Sequence, residues 1–198
     1  MSAAPQPGIP GWTTMWAPEQ GAEITAAVLA QIHDGMTNGA TLFSSQYAFT
    51  DVGISGVMGA FGRQNRANRY VFDRSQFFGA RERALVEGLI AGLLPDQWAI
   101  GTSPVGDEIL HSKILALLYP DGRGWTFSGS FNLSASAEKE FNVADLIWSR
   151  SRAEAFAAQI QARLTWCRTN QPQPPAPKGN CYLCGAPVDA PGREETPT

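Results

Sequence analysis

Apolar residues recur with two different periods along this chain. Ile24, Val28, Ile32 and Met36 return every fourth position and draw one face of an amphipathic helix, which Asp34-Gly35 and Asn38-Gly39 close. Elsewhere the apolar positions run on or alternate, as strands require: Thr41 to Phe49, Arg69 to Asp73, Gln97 to Thr102, His111 to Tyr119, Trp125 to Ser130 and Val143 to Ser149. Asp51 stands where it can cap a short helix reaching about Gly62. Two further helices are expected, Arg81 to Leu94 with Pro95 as terminator, and Arg152 to Arg168. Ile114 to Leu118 has no polar member, so its strand should be buried on both faces, and Pro120-Asp121-Gly122 turns it into the next. Strands alternating with helices predict an α/β layered domain with a mixed β-sheet flanked by helices. That domain should span residues 21–169, between an irregular Pro- and Gly-rich arm (1–20) and a Pro-rich flexible tail (170–198).

Composition narrows the picture only slightly. No basic stretch followed by an apolar run opens the chain, and no apolar run is long enough to cross a membrane, so a cytoplasmic setting is expected. A net charge of −3 offers a polyanion no bulk attraction. Locally the balance differs, because Arg63, Arg66, Arg69, Arg74, Arg81 and Arg83 crowd one segment against only Asp73 and Glu82. The planar guanidinium suits phosphate, and Arg74 is taken as a candidate substrate-binding residue; a solvated helix face plus loop is the plainer reading.

The candidate chemistry lies on two short segments. His111-Ser-Lys113 is followed by Ser130-Phe-Asn132 on what should be the neighbouring strand. Residues two apart on a strand share a face. An imidazole, an ammonium, a hydroxyl and an amide would then converge, a set able to attack and hold a phosphate diester. Ser128 has the same parity as Ser130 and Asn132 and is a further candidate for binding substrate.

HxK followed by an apolar strand, a turn and G-S-x-N resembles the signature of the phospholipase D superfamily, HxK(x)4D(x)6GSxN. The matching residues are His111, Lys113, Gly129, Ser130 and Asn132. SSQYAFTD (Ser44 to Asp51) and VFDRSQ (Val71 to Gln76) are similar to upstream segments of its single-motif bacterial nucleases, so the likeness runs from about Ala22 to Arg168. The resemblance implies a layered phospholipase D-like domain and a phosphodiesterase that needs no metal. In it His111 is the nucleophile and forms a phosphohistidine, while Lys113, Asn132 and Ser130 hold the non-bridging oxygens. Nucleic acid is the favoured substrate, with phospholipid or a non-catalytic phosphate-binding module as alternatives. Two positions depart from the pattern. The family's acidic residue falls at Leu118, with Asp121 nearby, and a downstream Glu falls at Ala144, with Glu140 and Asp145 nearby.

A leaving oxygen needs a proton donor titrating near neutrality, usually a second His. The other histidine, His33, sits in the first expected helix and reads as a surface or packing residue. The resemblance therefore implies a homodimer, in which two copies of His111, Lys113 and Asn132 share one site. In the tail, Cys181 and Cys184 form a CxxC that resembles one knuckle of a structural zinc site, with Cys167 the third thiol. Unpaired thiols and a redox pair stay open beside it.

Overall fold

A computed structural model describes residues 11–77, 80–103, 110–134, 136–174, 179–180 and 187–188. Seven strands form one mixed sheet: β1 (Gly11–Ala17), β2 (Thr41–Gln46), β3 (Arg69–Asp73), β4 (Trp98–Gly101), β5 (Lys113–Leu118), β6 (Gly124–Gly129) and β7 (Asn142–Trp148). Their spatial order is β1-β7-β6-β5-β2-β3-β4, with β2, β3 and β4 parallel and every other pairing antiparallel. The helices are α1 (Gly21–Thr37), α2 (Val52–Gln64), α3 (Arg74–Phe77), α4 (Ala80–Ile90) and α5 (Arg150–Asn170). This is the expected α/β layering.

The two faces of the sheet bury different cores. Leu42, Tyr70, Phe72, Leu115, Leu117 and Phe127 point to one side, where α1 and α2 supply Ile24, Val28, Ile32, Ile54 and Met58. Val71 and Ala99 point to the other, where α5 supplies Ile160, Leu164 and Cys167. The four-residue period read for α1 is the buried stripe itself, and Gly35 lets the helix settle onto Leu117. Asp51 caps α2 as expected, its Oδ1 accepting from the Ile54 amide over 2.8 Å.

Three expectations need correction. Residues 11–17 are no irregular arm; they form edge strand β1 on β7, with Met15 and Ala17 turned into the core and Trp12 and Trp16 left exposed. Thr and Trp favour strands, and alternation over so short a stretch is masked by the surrounding Pro and Gly. The tail does not leave the fold at Asn170. The side chains of Gln173 and Gln171 accept from the backbone amides of Ile100 and Thr102 over 2.8 and 2.9 Å, dressing the free edge of β4. The expected helix from Arg81 to Leu94 starts one residue earlier and ends at Ile90, before a single 3-10 turn.

Candidate functional site

Asp73 ends β3 fully buried, with both carboxylate oxygens hydrogen-bonded. One carboxylate oxygen accepts from the amides of Ser75 (2.8 Å) and Gln76 (3.2 Å), and the other accepts from the amide of Leu110. That last bond fixes the backbone one residue before His111. His111 lies in the lead-in to β5, not in the strand, with its imidazole exposed. Ser112 turns to the α5 side, where its hydroxyl meets that of Ser45 at 2.6 Å, and Arg163 of α5 reaches Ser45 over 3.5 Å. Lys113 opens β5, its side chain buried among the opposite layer, and its Nζ lies 3.0 Å from Nε2 of His111. The two side chains meet as parity required, by contact across the strand entrance. Burial holds the Lys113 ammonium below its ordinary pKa.

The second segment is shaped by a glycine. Gly129 ends β6 at φ 145°, and a Cβ there would fall 2.1 Å from the carbonyl oxygen of Val143. That carbonyl accepts from both Ser130 (3.0 Å) and Phe131 (3.3 Å), so two residues oppose one and the chain bulges. Ser130 is turned outward and accepts from the Val143 amide over 2.9 Å, which leaves its own proton to donate. Phe131 is fully buried and anchors the loop, and Leu133 bridges to Phe49 beyond β2. Asn132, half-buried between them, has its Oδ1 buried without a hydrogen-bond partner among the described residues. Leu115 of β5 lies opposite Phe127 of β6, so continuing the register by two residues sets Lys113 across from Gly129. HxK and GSxN therefore open at the same end of neighbouring strands.

Solved structures share this fold. A phospholipase D family member, Nuc from Salmonella typhimurium, matches with a TM-score of 0.60 at 23% identity, over 79% of this chain and 95% of that one. NucT from Helicobacter pylori matches with a TM-score of 0.58 at 14% identity, over 80% and 98%. A polyphosphate kinase from Porphyromonas gingivalis matches at 0.53 and 14%, over 83% of this chain and 27% of that one. The chain has the phospholipase D fold. No family model matches the sequence, and no curated protein does.

Within the phospholipase D fold, the remaining candidates separate. Ser128 does not join the set. Phe127 shares the face of Leu115 and hence of Lys113, so Ser128 faces α5, where Arg152 donates to it over 3.1 Å. The bulge at Gly129 and Ser130 breaks the parity on which that expectation rested. Arg74 donates to the carbonyl of Pro172, in the segment that follows α5. Other members of the arginine-rich stretch also serve their own chain. Arg63 reaches the Ala91 carbonyl, Arg69 holds Gln161 and Asp96, and Arg83 pairs with Glu87. Arg66 is exposed, and the Arg81 side chain lies outside the described residues. Among the described residues a phosphate-binding row does not emerge, because loop, strand and helix each use their arginines within the chain.

Leu118 lies at the far end of β5, opposite Thr41 and Gly124, and five residues of strand put it about 17 Å from Lys113. Asp121 pairs with Arg123 at 2.7 Å in the turn beyond. Ala144 is fully buried, Glu140 is exposed, and Asp145 accepts from Trp12 and Thr14 on the α5 side of the sheet. His33 is exposed on α1.

Two carboxylates beside the site escaped the sequence reading. Asp73 is one. Glu82, in α4, accepts from the Phe49 amide over 2.9 Å, and burial pushes its carboxyl up to about 7. Their links to the Leu110 and Phe49 amides are distant in sequence, which no spacing rule reveals. Cys167 is buried on the sheet-facing side of α5, and burial pushes its thiol up to about 11. Cys181 and Cys184 lie outside the described residues. Among the described residues, no group of three or more His, Cys, Asp and Glu could hold a metal ion.

Proposed function

We propose that this chain is a phosphodiesterase that needs no metal ion, acting on nucleic acid through a phosphohistidine in a site shared by two copies. The observation that carries the reading is the 3.0 Å contact between Lys113 Nζ and His111 Nε2, at the strand entrance that also holds the GSxN bulge. A phosphate oxygen entering the site takes the ammonium over from Nε2 and frees the lone pair that must attack phosphorus. The Nε2–P bond forms as the bond from phosphorus to the leaving oxygen breaks, and that oxygen takes a proton from the imidazole of the second copy. Water then attacks phosphorus and gives its proton back to that imidazole, releasing the phosphomonoester and His111. Ser130 and the Asn132 amide hold the non-bridging oxygens.

The homodimer rests on the need for that second imidazole, since His33 lies exposed on α1. Nucleic acid as substrate rests on the similarity of the motif segments to single-motif bacterial nucleases, and much less on the arginines. Among the described residues no helix is long and apolar enough to cross a membrane. The test is to incubate the protein with labelled DNA, RNA and a chromogenic phosphodiester in EDTA, beside a His111→Ala variant. Cleavage that survives chelation and disappears in the variant is the expected result. Binding by both proteins with no cleavage by either would overturn it in favour of a binding module.

A further inference from the structure

Beside the HxK segment, on the β2 side of β5, lies a side chain that neither motif includes. Tyr47 follows β2 directly, and its ring lies 4.6 Å from the His111 ring at a 58° tilt. The same ring has Lys113 Nζ 4.8 Å from its centroid, within reach of a cation–π attraction. The hydroxyl accepts from Nε2 of Gln76 over 2.9 Å. Gln76 is in turn held by Asp73, whose other oxygen holds Leu110, the residue before His111. Asp73 therefore fixes both the backbone that carries His111 and the ring that braces its imidazole.

We propose that Tyr47 is a positioning residue for the reaction, its ring holding the His111 imidazole and the Lys113 ammonium in one fixed relation. The role rests on the phosphodiesterase reading above. His111 stands outside the strand and is exposed, so pairing to β2 does not hold its side chain. A tilted ring contact leaves an imidazole free to keep its nitrogens for chemistry, which a hydrogen bond would not. The negative face of the ring also attracts the ammonium without supplying an acceptor that would compete with phosphate. The hydroxyl acts only as the anchor to Gln76.

The test uses Tyr47→Leu, Tyr47→Phe and Gln76→Leu in the full chain, assayed on a chromogenic phosphodiester and observed by proton NMR of the histidine rings. The chain has two histidines, and a His111→Ala variant assigns them. Removal of the ring should lower kcat by about ten- to a hundred-fold with KM within about two-fold, the cost of a nucleophile displaced by a fraction of an ångström. Tyr47→Phe should restore most of that loss, and Gln76→Leu should fall between. The ring-current displacement of the His111 signals should vanish in Tyr47→Leu and persist in Tyr47→Phe. Active wild-type protein with kcat unchanged in Tyr47→Leu would overturn the positioning role alone. Wild-type protein with no activity would overturn the phosphodiesterase reading and any catalytic use of the ring with it.

Discussion

Nζ of Lys113 lies 3.0 Å from Nε2 of His111, and in the proposed reaction an anion that takes over the ammonium frees the imidazole for attack. In that proposal the pair would couple nucleophile and charge clamp, and the protonation state of Lys113 would be part of the chemistry.

Lys113 is held below its usual pKa by burial. The clamp requires the ammonium, so activity should fall as pH rises through that depressed value. The alkaline limb of kcat/KM is expected below the ~10.4 of a free lysine. Lys113→Arg should be slower and lack that limb, because guanidinium does not titrate in this range. A limb at the same pH in both proteins would assign it elsewhere.

Glu82 has the opposite sign of linkage. Its folded value of about 7 stands above the ordinary 4.5, so the folded state binds the extra proton and is favoured at low pH. That stabilisation is full below about pH 4.5 and is lost as pH rises through 7, by up to about 3 kcal/mol. Glu82→Gln keeps an acceptor for Phe49 and should flatten the dependence. Urea unfolding at pH 5 and pH 8 measures it; equal slopes with pH in the two proteins would contradict the assignment.

At Gly129 the left-handed backbone and the Val143 carbonyl 2.1 Å from a notional Cβ leave no room for a side chain. Gly129→Ala should cost about 1–3 kcal/mol of stability and displace Ser130 and Asn132. Thermal unfolding and diester assays would show both losses together. Leu118→Asp, about 17 Å away along β5, should restore no activity although it recreates the acidic position of the motif.

Much of the architecture was legible because burial follows period. β3 has the bounds expected from RYVFD, and α1 buries the stripe Ile24, Val28 and Ile32. Asp51 capped where a local rule placed it. The site was legible as far as it depended on strand parity and on motif similarity. It ceased to be where the chain departs from regular structure, as at the bulge that turned Ser128 away from Ser130. Long-range partners were also out of reach. Nothing near Asp73 in sequence announces Leu110, and nothing near Arg74 announces Pro172.

A shared site makes activity depend on assembly. Sedimentation should report a dimer, and excess His111→Ala chain mixed and refolded with wild type should suppress the wild-type rate by forming mixed pairs. A monomer that cleaves diesters at full rate would contradict the shared site.

In the proposed mechanism His111 attacks phosphorus. Rapid acid-free quenching of the protein with a labelled phosphodiester, followed by peptide mass analysis, tests it most directly. The esterified phosphoryl group should appear on the peptide carrying His111 and be absent from His111→Ala. Turnover in EDTA with the label on no residue, or retained on another residue in His111→Ala, would contradict it.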